Sequence, residues 1–291
     1  MKLRLFLLRR NKCNWALCLD LTHKMKDKVV IITGGSSGIG KALAAEFGMR
    51  GSKVMITGRN GYNLDKVVNE LSAKGVEIVG FRGDVGIEDD NRRMAEEAID
   101  RFGTIDILVN NAGISMRALF EETDVDVVRT VMNTNFFGMV YATKYCMPEI
   151  IRNKGSIIGV SSIAGFRGLP GRTGYSASKF ALNGFLEALR LELSSKGTHV
   201  LTACPGFTST NIRIRALTKN GATQGESPRE EGNMMTAEEC AHFIYAATVK
   251  RRRTLVLTTQ GKLTVFMNKW LPGLVDRVVF NLMSREPNSP F

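Results

Sequence analysis

The chain has 291 residues, 44% hydrophobic and 23% charged, enough to bury one large core. No apolar run reaches the roughly 18 to 20 residues of a membrane-spanning helix. Five scattered cysteines argue for a reducing, cytoplasmic setting without a disulfide framework, and three histidines without ligand spacing give no metal site. The net charge of +12 splits into +6 over residues 1–28 and +6 over residues 250–291 around a neutral body. A nucleic-acid-binding protein spreads its basic footprint over a folded face, so nucleic acid is not expected as a partner. Basic tails suit solvation or peripheral contact with an anionic membrane.

Residues 1–24 mix basic and apolar side chains without a signal-peptide pattern and form, to residue 25, a basic extension. The body, 26–258, then alternates. Short β-branched runs at 28–33, 53–57, 77–81, 106–110, 156–161, 199–204 and 254–258 predict strands. Helical patterns at 41–50, 62–73, 87–102, 124–152, 175–195 and 236–251 lie between them. Apolar strands separated by helices predict a single doubly wound α/β domain of the Rossmann type, with a seven-stranded parallel sheet covered on both faces. A polar insertion, 218–233, follows the sixth strand.

The first strand runs into "TGGSSGIG", Thr33 to Gly40. A glycine-rich turn between a buried strand and a helix brings backbone N–H groups and the positive helix end against a pyrophosphate. Gly34, Gly38 and Gly40 are spaced G-x-x-x-G-x-G, unlike the G-x-G-x-x-G of the standard dinucleotide fingerprint. The second strand ends in "TGRN", where NAD sites place a carboxylate for the ribose hydroxyl; here the first acid is Asp65. Arg59 either covers surface or pairs with a 2′-phosphate through its planar fork, with Ser36 and Asn60 as further donors, which favours NADP over NAD. Later, "YSASK" places Tyr175 and Lys179 on one helix face. Alone, that pair suits a solvated polar face as well as a chemical one.

Seven segments in order, "TGGSSGIG", "GDV" (83–85), "NNAG" (110–113), "NTNFFG" (133–138), "SSIAG" (161–165), "YSASK" (175–179) and "PGFTST" (205–210), resemble those of the short-chain dehydrogenase/reductase family over residues 26–258. The resemblance implies an oxidoreductase that interconverts a carbonyl and an alcohol with a nicotinamide cofactor. Ser162, thirteen residues before Tyr175, takes the catalytic place rather than Ser161. In the implied roles, Tyr175 exchanges a proton with the substrate oxygen, Ser162 hydrogen-bonds that oxygen, Lys179 holds the nicotinamide ribose, and Asn135 anchors a water in the proton path. The Lys179 ammonium and an oxidised nicotinamide would favour the phenolate.

By the same resemblance Gly34, Ser36, Ser37, Gly38, Ile39 and Gly40 face the pyrophosphate side. Asp84 and Val85 hold the adenine, and Asn111, Ala112 and Gly113 flank the adenosine ribose. Pro205 and Gly206 turn the chain, and Thr208 and Thr210 meet the nicotinamide amide. A homodimer or homotetramer is implied, burying the helices of Asn135 and Tyr175, with Val128, Met132, Leu182, Leu186 and Leu189 as candidate contacts. A dinucleotide sensor and a membrane-surface interaction protein are the competing classes; retention of both Tyr175 and Lys179 favours the enzyme.

Residues 259–291 form an extension in which Leu263, Phe266, Met267, Trp270, Leu271, Leu274, Val278 and Leu282 recur at helical spacing, interrupted by Pro272-Gly273. Core, subunit contact, lid and membrane contact are all open for this stripe. Together with "KRRR" (250–253), the segment loosely resembles family reductases that act at membranes on lipid-like carbonyls, so the expected substrate is an apolar carbonyl or alcohol.

Overall fold

The computed structural model describes residues 25–228, 232 and 234–291. The basic extension over 1–24 and part of the polar insertion lie outside the described residues.

Seven strands form one parallel sheet: β1 (Val29–Ile32), β2 (Lys53–Gly58), β3 (Ile78–Arg82), β4 (Ile107–Asn110), β5 (Ser156–Val160), β6 (His199–Cys204) and β7 (Thr254–Val256). Their order is β3-β2-β1-β4-β5-β6-β7, so the chain reverses direction across the sheet between β1 and β4. That reversal opens a crevice at the strands' carboxyl ends. Helices α1 (Gly38–Gly48), α2 (Gly61–Ser72), α3 (Glu88–Phe102), α4 (Val125–Met132), α5 (Gly138–Arg152), α6 (Thr173–Glu192) and α7 (Ala237–Val249) connect them, and α8 (Thr259–Trp270) and α9 (Pro272–Ser284) follow.

The apolar runs resolve into two cores because successive strand residues point to opposite faces. Val30, Ile32, Val54 and Ile56 pack under α1 and α7 with Phe47, Cys240 and Tyr245. Ile31, Met55, Leu108 and Ile157 pack on the other face with Met94, Cys146, Leu182 and Leu186 from α3, α5 and α6. Cys204, at the end of β6, is also buried. Local signals set the helix ends. Glu88, Asp89 and Asp90 occupy the positive start of α3 and Gly103 closes it in left-handed backbone. Thr236 and Glu239 form a capping box on α7.

Four expectations need correction. The helix read over 124–152 is interrupted at Asn133–Phe137 by a turn of π-helix, and Asn135 sits inside it. Leu182, Leu186 and Leu189 are buried against their own sheet, so they are closed to a partner; apolar side chains exposed on this side include Phe137, Phe180 and Leu191.

The C-terminal stripe is split by the break at Leu271–Pro272. Val275, Val279 and Met283 face inward with Leu169 and Met267, while Leu263, Phe266, Trp270, Leu271, Leu274, Val278 and Leu282 lie exposed. Finally, the basic C-terminal charge is divided between two ends of the sheet. "KRRR" precedes β7, and Arg251 is committed there to the carbonyls of Lys154 and Gly197. Lys262, Lys269 and Arg277 lie on α8 and α9, beyond the opposite end.

Candidate active site

At the carboxyl end of β1, Gly34 and Gly38 have φ of 66° and 52°, backbone that side chains rarely adopt. A Cβ on Gly40 would stand 2.3 Å from the Gly34 carbonyl oxygen and 2.5 Å from Asn111 Nδ2. The glycines let α1 start close to the sheet, and no acidic residue occupies its first turn. This cradle fits a pyrophosphate. Ser37 is the N-cap residue but does not cap with its side chain, and Ile39 leans on the core.

The turn after β4 is braced to this cradle. Asn111 Nδ2 donates to the carbonyls of Thr33 at 2.9 Å and Gly34 at 3.2 Å, and Thr33 Oγ1 accepts the N–H groups of Asn111 and Ala112, each at 3.0 Å. Thr33 opens "TGGSSGIG", but one hydroxyl at a strand end carries no pattern from which this bracing role could be read. Gly113 carries the turn on towards the catalytic candidates: a Cβ there would lie 3.2 Å from Asn135 Oδ1 and 3.6 Å from Lys179 Nζ.

The β2 corner gathers the residues expected around the adenosine. Ser36 Oγ packs beside Gly58, and Arg59 is largely exposed, its Nη1 3.7 Å from Asp84 Oδ2. Asn60 uses its Oδ1 to cap α2, accepting the Asn63 N–H at 2.9 Å. Asp84 Oδ1 accepts the Gly86 N–H at 2.9 Å, and Val85 seats against Gly138. Arg82 is a second cation here, its Nε donating to the Arg59 carbonyl at 3.3 Å. Its pairing with Gly58 in the sheet register was its one available signal.

From the other side, the segment after β6 folds back over the cradle. The Pro205 carbonyl accepts the Ile163 N–H at 3.2 Å, Gly206 lies against Thr258, and Thr210 packs on Gly38. Thr208 is buried and donates to the Gly206 carbonyl at 3.3 Å.

Between these walls lie the four catalytic candidates. Ser162 begins a short helical turn, its Oγ accepting the Ala164 N–H at 3.1 Å, whereas Ser161 is committed to Asn183 at 2.6 Å. Tyr175 and Lys179 lie in the first two turns of α6. Lys179 Nζ donates to the Val160 carbonyl at 3.0 Å and stands 5.7 Å from the Tyr175 ring centroid. Asn135 ties the site together. Its Nδ2 donates to the Ile114 carbonyl and to Ser178 Oγ, each at 2.9 Å, and its Oδ1 accepts the Ile114 N–H at 2.8 Å. Both amide hydrogens are thus held by protein groups, so a water in the proton path would not be anchored by them.

The electrostatics differ from the expectation. Burial pushes the Tyr175 phenol above its ordinary value, opposed by a hydrogen bond with Ser162 and by the charges of Arg172 and Arg213. Burial lowers Lys179 to about 8, so it loses its charge before the phenol loses its proton. Arg172 and Arg213, which stand in no motif, are further cations that bias Tyr175 towards phenolate.

Between the segment after β6 and the end of α9 lies a cavity of about 550 Å³, lined among others by Phe207, Pro228, Met234, Met235, Leu282 and Pro287. None of the four catalytic candidates lines it. It adjoins them through Phe207, which follows Gly206, and through Glu286, which is paired to Arg172.

A sheet of this winding, with a glycine cradle at its first turn, is the framework of the nicotinamide-dinucleotide oxidoreductases. Within that class the family can be stated. The model of the short chain dehydrogenase family matches residues 28–221, and the chain belongs to that family. It is 33% identical over 271 residues to dehydrogenase/reductase SDR family member 7B of Mus musculus, covering 91% of this chain and 84% of that one. It is 43% identical over 272 residues to 11-beta-hydroxysteroid dehydrogenase-like 4A of Arabidopsis thaliana, covering 91% and 86%. A short chain dehydrogenase/reductase from Burkholderia phymatum in complex with NAD superimposes with a TM-score of 0.77 at 24% identity, over 86% of this chain and 95% of its own. An alcohol dehydrogenase from Thermococcus sibiricus complexed with 5-hydroxy-NADP gives 0.70 at 23% identity, over 79% and 95%. At such identities the structural likeness is one of fold.

Proposed function

We propose that the protein is an NADP(H)-dependent oxidoreductase that interconverts a carbonyl and a secondary alcohol on an apolar, lipid-like substrate. The reading is carried by the convergence of half-buried Ser162 and Tyr175 with buried Lys179 beside Gly113. When bound, the cofactor supplies or accepts the hydride. Tyr175 moves the proton at the substrate oxygen, and Ser162 orients the phenol and that oxygen through its hydroxyl. Lys179 holds the ribose, and Asn135 locks the turn after β4 to α6. Arg59, joined by Ser36 and Arg82, holds a 2′-phosphate; the absence of an acid at the end of β2 supports NADP over NAD. The Phe207, Pro228, Met234, Met235, Leu282 and Pro287 part of the adjoining cavity supports the apolar substrate class, with Thr258, Gln260, Arg285 and Glu286 completing the lining. Cofactor oxidation with a panel of ketones and aldehydes tests this. NADPH should be consumed much faster than NADH with long-chain or polycyclic carbonyls, and consumption with neither cofactor would sink the reading.

Two associations accompany it. The exposed face of α8 and α9, with Trp270 65% exposed and Lys269 over its ring, supports peripheral contact with an anionic membrane on the cytoplasmic side. Binding to anionic vesicles should weaken with salt and be lost in Lys262→Gln/Lys269→Gln/Arg277→Gln; equal binding to neutral vesicles would refute the contact. Phe137 and Phe180 support a homo-oligomer formed across α5 and α6, and light scattering that returns a monomer mass would refute that.

A further inference from the structure

The loop that links Ser162 to Tyr175 is held by the C-terminal segment. Leu169 packs on Val275, Val279 and Met283, and its N–H donates to Ser176 Oγ at 3.1 Å. Gly171 has φ of 68° and lies under Pro290 and Phe291. The anchor of this arrangement is ionic. Arg172, the last residue before α6, donates from Nη2 to Glu286 Oε2 at 3.1 Å and from Nη1 to Met283 Sδ at 3.6 Å. Arg117 Nε stands 3.7 Å from the same carboxylate oxygen, and its Nη2 donates to the Pro287 carbonyl at 2.7 Å. The Glu286 side chain is only 4% exposed.

A buried ion cluster of this kind is a poor stabiliser, since desolvation cancels much of the attraction and apolar side chains of similar volume often do as well. Its position suggests what it does instead. Arg172 is three residues from Tyr175, and its carbonyl accepts the Ser176 N–H at 2.9 Å, so its place is fixed to the start of α6. Among the described residues, the charged groups around the phenol are Arg172 and Lys179 along this stretch and Arg213 from the segment after β6. One step further out stand Arg117, from the segment after β4, and Glu286.

We propose that Glu286 is a positioning residue of the active site: as the buried counter-ion shared by Arg172 and Arg117, it fixes the charge presented to Tyr175 and makes the C-terminal segment part of the catalytic apparatus. The inference rests on Tyr175 as the proton-exchanging group. Glu286→Gln keeps the shape and an acceptor oxygen for Arg172 but removes the compensating charge, so the phenolate gains stability. Arg172→Met removes the cation, and the phenolate loses it.

The test is a titration of the full chain carrying tyrosine labelled with ¹³C at Cζ, in which the Tyr175 signal is the one missing from Tyr175→Phe. Its midpoint should fall by about half a unit to one unit in Glu286→Gln and rise by a similar amount in Arg172→Met. It should stay in place in Glu286→Asp, which keeps the charge. The alkaline rise of alcohol oxidation with NADP⁺ should move in parallel. A merely structural role would lower activity in all three variants without moving the midpoint. Unmoved midpoints, or shifts of the same sign in Glu286→Gln and Arg172→Met, would overturn the proposal. Should Glu286→Gln fail to fold, the contrast between Arg172→Met and Glu286→Asp decides. Turnover retained by Tyr175→Phe would instead remove the reading on which the inference stands, whatever the midpoints do.

Discussion

The two sides of the crevice are made of different material. On the β1–β3 side the walls are mainly backbone: Gly34, Gly38 and Gly40 open the start of α1, and Thr33 and Asn111 brace the turns by bonding main-chain groups. On the β5–β7 side they are side chains brought from distant parts of the chain, Lys179, Arg172, Arg213 and Glu286 among them. A backbone wall works by steric permission, which a single Cβ withdraws. A side-chain wall works by charge and burial, and its properties change in degree.

Four substitutions press on that contrast, the largest effect first. Tyr175→Phe removes only a hydroxyl from the side-chain wall, and turnover should fall by about 10²- to 10⁴-fold, the usual contribution of a positioned proton donor. NADPH binding by fluorescence titration should be unchanged. Gly40→Ala attacks the backbone wall, and the 2.3 Å approach to the Gly34 carbonyl predicts the reverse pattern. Cofactor binding should weaken about 10- to 100-fold, as overpacking by about 1–3 kcal/mol would require, while the Tyr175 midpoint is unmoved. Normal NADPH affinity in this variant would show that the cradle has slack.

Lys179→Met should lower turnover and yet stabilise the fold. Burial lowers this amine from 10.5 to about 8, an unfavourable contribution to folding on the order of 3 kcal/mol at neutral pH. Losing the bond to Val160 offsets about 1 kcal/mol of the gain. The unfolded chain binds the extra proton between these two pKa values, so wild-type stability should rise with pH from about 8 to 10.5 and the advantage of the variant should fade over the same window. Denaturant titrations at pH 7 and 10 measure this, and a variant less stable than wild type at pH 7 would contradict it. Arg59→Asp has the smallest expected effect. It should shift preference from NADPH towards NADH by about tenfold through repulsion of the 2′-phosphate, and an unchanged ratio of affinities would place the arginine outside the phosphate's reach.

The same contrast explains what the sequence disclosed. All seven strands and the glycine cradle were legible, because a buried parallel strand is a continuous apolar run and a turn that excludes Cβ must spell itself in glycine. Lys179 was legible as half of a spaced pair, but the lowering of its pKa to about 8 was not, since that depends on how deeply its amine is buried beside the Val160 carbonyl. Arg172, Arg213 and Glu286 left no trace: the pair Arg172–Glu286 joins positions 114 residues apart, and no local spacing encodes such a meeting. The stripe over 263–282 left its inward face unread for a related reason. Its helical period is real, but the break at Pro272 resets the phase, so the inward face of α9 belongs to Val275, Val279 and Met283.

The buried cysteines turn these layers into something that can be timed. Cys146 points from α5 into one core, Cys240 from α7 into the opposite core, and Cys204 ends β6 in the sheet between them, and burial pushes each thiol up to about 12. A thiol at that value reacts with an alkylating reagent only after its layer has opened, because the thiolate is the nucleophile. Site-resolved alkylation of the native enzyme would thus act as three clocks, one for each face of the sheet and one for the sixth strand, and the order in which they run down is the order in which the molecule comes apart.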